Sequence, residues 1–390
     1  MMTITDAIRC AGCGACANIC PKNAITMVLD EEGFLHPKID DALCVRCGLC
    51  RKVCPVESVG IRSEVNQAYA LKHRCPAVRE LSTSGGIFIA LSDWILSQGG
   101  VVYGVIHDEQ LRVIHARAED ARQRDLMCGS KYVQSDMGDC YRQARADLNA
   151  GRWVLFSGTS CQIDGLNHYL SCTATATEKL LTCGLLCHGV PSPLMWKEHL
   201  AHIRTRRKKE ILRYAHRPKV KGWHSHNECI TYTDGRREYR SKLSQNHKDL
   251  FYGHYFLRPS CHQCPYAADP SAADLTIGDF WGCQILMPQL DDNKGVSLVL
   301  ANTEKGHSFL RNCQDVDLWP VDRLQALSYN HHKPCAPNPQ RETFWADYRE
   351  HGYAYVCAKY VGDSFRGRVI YGIKKRLRDV LVLLKLRSKY

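Results

Sequence analysis

No apolar stretch in the sequence approaches the ~18 residues needed to cross a bilayer. The densest apolar runs, residues 87–96 and 380–384, are too short, which excludes a polytopic membrane protein. No basic-then-apolar leader opens the chain, since cysteines begin at Cys10, so a cytoplasmic location is expected. No G-x-G-x-x-G fingerprint follows a strand pattern, so a dinucleotide-binding Rossmann site is not indicated. No G-x-x-x-x-G-K-[ST] run exists, and a nucleotide-hydrolysing motor is not indicated either. C-x-x-C-H is also missing, because Cys183 and the Cys187-His188 pair lie one residue too far apart; this rules out attached c-type haem.

Cysteine is abundant, at 22 of 390 residues. In a cytoplasmic chain this points to metal binding or redox chemistry ahead of disulfides. Apolar residues make up 45% and charged residues 24%, ordinary values for globular protein and far from disordered or collagen-like composition. The length suggests two or three domains. The net charge of +12 is uneven: residues 363–390 hold nine Lys/Arg against two Asp, and the rest of the chain carries only about +5. Residues 204–221 form a second basic stretch.

The first 55 residues contain an internal repeat. Cys10, Cys13, Cys16 and Cys20 before Pro21 form one C-x2-C-x2-C-x3-C-P run; Cys44, Cys47, Cys50 and Cys54 before Pro55 form another. Soft thiolates on a tight loop are what a [4Fe-4S] cubane requires, and the fourth cysteine of each run crosses to the other cluster. Cys10, Cys13, Cys16 and Cys54 are therefore assigned to one cluster, and Cys44, Cys47, Cys50 and Cys20 to the second. Zinc sites usually use C-x2-C pairs, which this pattern does not match. Two strands, residues 24–29 and 34–39, are expected between the runs, and a linker at 57–66.

The remainder reads as α/β. Strands are expected at 68–71, 101–106, 111–115, 153–156, 180–186, 275–277 and 296–301. A hairpin is expected over 228–233 and 237–243, around Asp234-Gly235. Helices are expected from about 86 to 96, over 139–150, after Cys161, and from about 193 to 212. Cys161, Cys187 and the pair Cys261 and Cys264 fall at strand ends or in a short C-x2-C loop, and strand ends of an open α/β sheet converge on one crevice. Four thiolates there suit a third cubane. Half of a zinc knuckle for Cys261 and Cys264, or plain burial for Cys161, fits the spacing equally. The other ten cysteines, Cys75, Cys128, Cys140, Cys172, Cys183, Cys229, Cys283, Cys313, Cys335 and Cys357, are read as buried thiols.

Residues 7–56 resemble bacterial two-cluster ferredoxins. Further on, Ser82-Thr83-Ser84-Gly85-Gly86, Gly129-Ser130-Lys131-Tyr132, Gly158-Thr159-Ser160-Cys161-Gln162, Cys187-His188-Gly189, Cys261-His262-Gln263-Cys264 and Ile277-Gly278-Asp279-Phe280-Trp281-Gly282 occur in that order. Over residues 1–345 this set resembles the beta-subunit family of coenzyme F420-reducing hydrogenase and dehydrogenase, with a ferredoxin module in front. Ser160 stands where the family motif usually has proline.

The resemblance implies an α+β ferredoxin-like module at 1–60 and an α/β flavin-binding domain at 67–345, in two parts, 67–150 and 151–345. A basic amphipathic tail at 346–390 lies largely outside it. It also implies FAD and a third [4Fe-4S] cluster held by Cys161, Cys187, Cys261 and Cys264. Ser84, Gly85, Gly86, Gly129, Ser130, Lys131, Gly158 and Asp279 would surround the flavin, since glycines and hydroxyls at helix starts suit a pyrophosphate. Asp279 would either contact flavin or fix a turn. Lys131 would pair with a phosphate or with charge on the reduced ring. His188 would deliver a proton or hydrogen-bond a cluster sulfur. His331 and His332 would line a substrate mouth, with His224 and His226 as weaker candidates.

A flavin converts single electrons into two-electron chemistry, so the expected activity is an iron–sulfur flavoprotein oxidoreductase acting on an organic substrate. Ferredoxin or another low-potential donor would supply the electrons. A role in cell-surface polysaccharide assembly fits relatives lacking F420; a non-catalytic relay subunit is the competing function. In the tail, Val369, Ile373, Leu377, Val380, Leu381 and Leu384 recur at helical spacing among Lys/Arg. This suggests a helix on an anionic membrane surface, at the inner face, or one docked on protein. No binding fold or aromatic interleaving points to nucleic acid.

Overall fold

The structure, a computed structural model, describes residues 4–57, 59–60, 65–267, 272–330 and 333–383, with side chains to residue 377. Most of the expected linker, His331 and His332, and Leu384 lie outside the described residues.

The cysteine repeat produces a structural repeat. Each run closes on a short helix, Ala15–Ile19 or Leu49–Lys52, entered through a left-handed glycine, Gly14 or Gly48, both with φ 77°. That backbone turn is cheap only for glycine. Between the runs β1 (Ile25–Leu29) and β2 (Leu35–Ile39) pair antiparallel, with Ile25 opposite Ile39. Asp30 shapes the turn by accepting hydrogen bonds from the Glu32 and Phe34 amides.

The body carries β3 (Gln67–His73), β4 (Val101–His107), β5 (Val113–Ala118), β6 (Val154–Thr159), β7 (Leu180–Leu185), β8 (Ile211–Ala215), β9 (Cys229–Tyr232), β10 (Arg237–Tyr239), β11 (Leu275–Asp279), β12 (Ser297–Ala301) and β13 (Val316–Val321). Eight of them form one mixed sheet in the order β13-β3-β12-β11-β7-β6-β4-β5. The central run β11-β7-β6-β4 is parallel, and both flanks are antiparallel. Central strands buried on both faces read as continuous apolar runs, as β6 does. Val154 and Phe156 pack on the face that meets helix Ser160–Cys172; Leu155 packs on the other, with Leu91 and Ile95 of helix Ile87–Ser97.

Three expectations are corrected. The helix from Pro193 ends at Arg207, where Lys208 turns left-handed (φ 52°), and Ile211 starts β8. The second hairpin arm stops at Tyr239, because Ser241 caps helix Lys242–Tyr252. The small sheet β10-β9-β8 so formed stands beside the large one. The segment after 345 is only partly a tail: helices Arg341–His351 and Tyr353–Val361 bury Phe344, Trp345, Tyr353, Val356 and Cys357 against Met195, Leu250 and Phe251. Helix Phe365–Leu383 follows, with Phe365, Val369, Ile373 and Leu377 exposed.

The cysteine-rich module is set into the body. Cys13, Ala15, Ile19 and Val53 share one buried cluster with Tyr141, Ile163 and Leu166. Arg258, 1% exposed, donates to the Cys10 carbonyl at 2.6 Å, the Leu35 carbonyl at 3.0 Å and Gln134 Oε1 at 2.8 Å, over the Phe34 ring. A Cβ at Gly12 would sit 2.6 Å from the Arg258 guanidinium, so glycine permits this approach.

Candidate functional site

The carboxyl ends of the parallel strands open onto one cavity of about 330 Å³, within the ≈ 300–1,000 Å³ of small-molecule sites. Ser157–Gly158–Thr159 at the end of β6, Gly278 and Asp279 of β11, and Cys187 and His188 beyond β7 line it. Ser84, Gly86, Gly129, Ser130 and Lys131 line it too, so the expected flavin-site residues converge, with one correction. Gly85 is turned onto the sheet: its amide donates to Ser297 Oγ, and a Cβ there would meet the Leu71 carbonyl at 2.2 Å. A sheet contact, not a ligand, requires that glycine.

Gly86 starts helix Ile87–Ser97 with φ 103° and no side-chain cap, leaving first-turn amides at the cavity wall. Free amides at a helix start favour an anion. A Cβ at Gly129 would meet nothing within 4 Å, so open space reaches its backbone. By contrast, helix Ser160–Cys172 closes its own first turn through a capping box of Thr159 and Gln162. These features suit a dinucleotide-type cofactor with its pyrophosphate near Gly86.

Lys131 is committed elsewhere. Its Nζ donates to the carbonyls of Leu126 and Met127, both at 2.9 Å, and of Cys128 at 3.1 Å. Burial pushes its pKa down to about 7. His188 Nε2 lies 2.7 Å from His254 Nε2, and the His188 carbonyl accepts from Cys335 Sγ at 3.0 Å. Asp279 forms an ion pair with Arg217 and accepts from Trp223 Nε1 at 2.6 Å. Arg217 lies over the Trp281 ring, which stacks on Trp223 at 5.0 Å. Burial works against the Arg217 charge, but Asp279 more than offsets it and holds its pKa up. His226, facing Trp281 at 4.9 Å, also lines the cavity; burial first, then Arg217, lowers its pKa to about 4. His224 is held by Asp291 at 2.8 Å and is not in the cavity wall. Arg217, Tyr132, Phe251 and Tyr252 line the cavity without having been singled out individually from sequence. Arg217 hid within the basic stretch, and Tyr132 within a motif read for its lysine.

His115 supports this wall from behind, its Nε2 3.2 Å from the Ser157 carbonyl and its Nδ1 2.9 Å from Ser135 Oγ. Burial lowers its pKa to about 4. A base whose folded pKa lies below its unfolded value binds fewer protons when folded, so stability rises with pH between the two values. Unfolding free energy should therefore fall as pH drops from about 6.5 toward 4, by at most about 1.4 kcal/mol per pH unit from this group. His115→Gln should flatten that limb; urea titrations at pH 4.5 and 7 measure it, and an unchanged slope would contradict the assignment.

A second cavity, of about 230 Å³, is lined by Cys161, Cys187, Cys261 and Cys264. It shares Thr159, Gln162, Cys187 and Val190 with the first. Burial, then repulsion from its thiol neighbours, raises the pKa of Cys187 well above the usual thiol value and that of Cys261 to about 12. Burial and Cys161 raise that of Cys264 to about 11. Four thiols facing one another in a dry pocket ionise together only around a cation, so the donor set fits a metal cluster. Cys13 lies on the far side, near enough for Cys161 to raise its pKa as well, after burial and Cys16.

In the N-terminal module the thiols gather as the crossed pattern requires. Cys16 feels Cys10 and Cys54 as its strongest thiol neighbours, while Cys20, Cys44, Cys47 and Cys50 line one small cavity. His36 adds a feature not read from sequence. Asp30 and Cys10 raise its pKa to about 9, and its hydrogen bond outweighs burial in holding the Cys10 thiol low. Of the ten cysteines read as buried, Cys75 is exposed, and Cys128, Cys172, Cys313 and Cys335 are only half-buried.

Fold and thiol sets together define an iron–sulfur protein of the oxidoreductase type. Residues 9–58 match the 4Fe-4S dicluster domain. Residues 151–324 belong to the family described as the C-terminal region of the beta subunit of coenzyme F420 hydrogenase/dehydrogenase. Among solved structures, a chain of the xenon-derivatised F420-reducing [NiFe] hydrogenase complex from Methanosarcina barkeri is similar at 15% identity and TM-score 0.45. That similarity covers 69% of this chain and 89% of the other. No curated protein matches the chain. Among the described residues, no helix is long and apolar enough to cross a membrane.

Proposed function

We propose that the chain is a flavin-dependent oxidoreductase that carries single electrons from a low-potential donor, such as ferredoxin, inward to an organic substrate. Bound clusters would move one electron at a time, and FAD would supply the exchange between one- and two-electron chemistry. The crossed sets Cys10, Cys13, Cys16, Cys54 and Cys20, Cys44, Cys47, Cys50 hold two clusters; Cys161, Cys187, Cys261 and Cys264 hold a third. The observation that carries this reading is the wall common to the two cavities: Cys187 belongs to both. The donor side is the outer set, where Cys47 is exposed beside Leu43 and Val45, both more than half exposed.

At the cavity, the residues around Gly86 and Ser130 bind the anionic part of the cofactor. Lys131 fixes the loop that carries Gly129. The Asp279–Arg217 pair orients Trp281 at the cavity wall. His188 holds a proton at Nε2, shared with His254 Nε2. Phe251 and Tyr252 exclude water from that wall.

Anaerobic purification with iron, sulfide and flavin analysis tests this. We expect about 12 iron and one FAD per chain, from three four-iron clusters. About eight iron with no flavin would reduce the protein to a dicluster module on an unrelated body. Turnover of a small molecule by the isolated chain separates an enzyme from a relay subunit.

The exposed stripe Phe365, Val369, Ile373 and Leu377, among Lys and Arg, supports peripheral attachment to an anionic membrane, where a substrate of cell-surface polysaccharide assembly would be met. Deleting residues 365–390 should abolish sedimentation with phosphatidylserine vesicles while leaving iron unchanged; unaltered vesicle binding would remove the attachment.

A further inference from the structure

Behind the cavity wall lies a group of side chains that the electron path does not use. His216 follows β8, Glu228 precedes β9, and His247 sits on helix Lys242–Tyr252. All three are at most 1% exposed. One candidate ligand atom from each lies within 4.8 Å of the others, and His216 Nδ1 is 3.3 Å from Glu228 Oε1. His216 Nε2 and both ring nitrogens of His247 find no hydrogen-bond partner among the described residues. Buried polar atoms in native proteins are almost always satisfied, so three such atoms around one carboxylate require an explanation.

The surroundings bear this out. Trp196 lies 5.0 Å from the His216 ring and 5.2 Å from the His247 ring, with Phe256 on the other side of His247. This apolar packing keeps both imidazoles neutral, so their nitrogen lone pairs are free to coordinate. The second oxygen of Glu228 is held by the Tyr214 hydroxyl, which His199 Nε2 meets at 2.9 Å, and Tyr353 holds His199 from behind. Such outer partners are what fix a carboxylate ligand in place.

We propose that His216, His247 and Glu228 form a buried binding site for a divalent transition-metal ion of the zinc class, distinct from the three thiol sets. Two imidazoles and a carboxylate form a donor set that this class accepts, and a carboxylate using both oxygens completes four donors. The ion satisfies nitrogens that otherwise lack partners and lets Glu228 ionise where burial alone keeps it protonated. It joins β8, β9 and the helix that carries Phe251 and Tyr252. Tyr132, which lines the cavity, packs its ring at 5.6 Å from His216, so the ion braces that wall.

The test is zinc counting and zinc K-edge X-ray absorption on the full chain, purified without oxygen, exposed to one equivalent of Zn²⁺ and passed over a desalting column. About one zinc per chain should remain, with nitrogen and oxygen neighbours at about 2.0–2.1 Å and no sulfur at about 2.3 Å. Glu228→Gln, which keeps an acceptor for Tyr214, and His247→Ala should each lower retained zinc at least ~10-fold while iron stays at its wild-type count, a change of about 1.4 kcal/mol or more in binding. Failure to retain zinc, a sulfur-containing zinc shell, or full zinc retention by both variants would overturn the site. If the variants do not fold, the wild-type absorption spectrum decides alone.

Discussion

Cys161→Ala will lower iron by about four atoms per chain, from about twelve to about eight, and will stop a donor that feeds the N-terminal module from reducing the cofactor in the cavity. The argument is geometric. Cys161 starts helix Ser160–Cys172 and turns its thiol into the pocket with Cys187, Cys261 and Cys264. Alanine is the best helix former, so the substitution removes a ligand with little cost to the helix. The same pocket adjoins Cys13 on one side and shares Cys187 with the cavity on the other. Cys183→Ala is the matched control. That thiol is fully buried in β7 and belongs to none of the three sets, so iron should stay unchanged. Iron analysis and a stopped-flow record of flavin bleaching read both effects. Unchanged iron in Cys161→Ala would remove it as a ligand.

Arg258→Met should destabilise the protein by about 3–5 kcal/mol and release iron from the set that includes Cys10. The guanidinium is buried and bonds three acceptors: two backbone carbonyls of the N-terminal module and Gln134 of the body. Methionine fills similar volume but leaves those acceptors unpaired in a dry site, at about 1–3 kcal/mol each, with partial relaxation. The Cys10 carbonyl then loses the contact that sets its loop. Arg341→Met is the comparison. Arg341 pairs with Glu32, also across the junction, but both groups keep solvent contact, so about 1 kcal/mol or less is expected. Urea unfolding with iron analysis measures both; a loss under 1 kcal/mol in Arg258→Met would contradict the bridging role.

How much was legible in the sequence depended on range. The cysteine runs are local: three thiolates within seven residues, with proline as punctuation, state both their metal and their crossing. Buried central strands such as β6 and β7 stand out because both faces are apolar. β13 went unread because Val316–Val321 is an edge strand with Pro320 and half-exposed side chains, a pattern without clear alternation. Lys208 ended a helix that its basic neighbours seemed to continue, since nothing local announces a left-handed turn at lysine. The Ser-Gly-Gly stretch revealed a helix start but not that Gly85 faces Ser297 while Gly86 faces the cavity. Arg217 was masked by other basic residues, and only the fold shows that it meets Asp279. His216, Glu228 and His247 lie 12 and 19 residues apart in sequence, and their meeting is entirely tertiary.

The most direct measurement is an anaerobic reductive titration of the purified full chain, followed in the visible and by EPR. Three one-electron clusters and one two-electron flavin should take up about five electrons per chain, with bleaching of the flavin bands during the titration. Uptake of only about two electrons, with no flavin band to bleach, would contradict a wire that ends in the cavity.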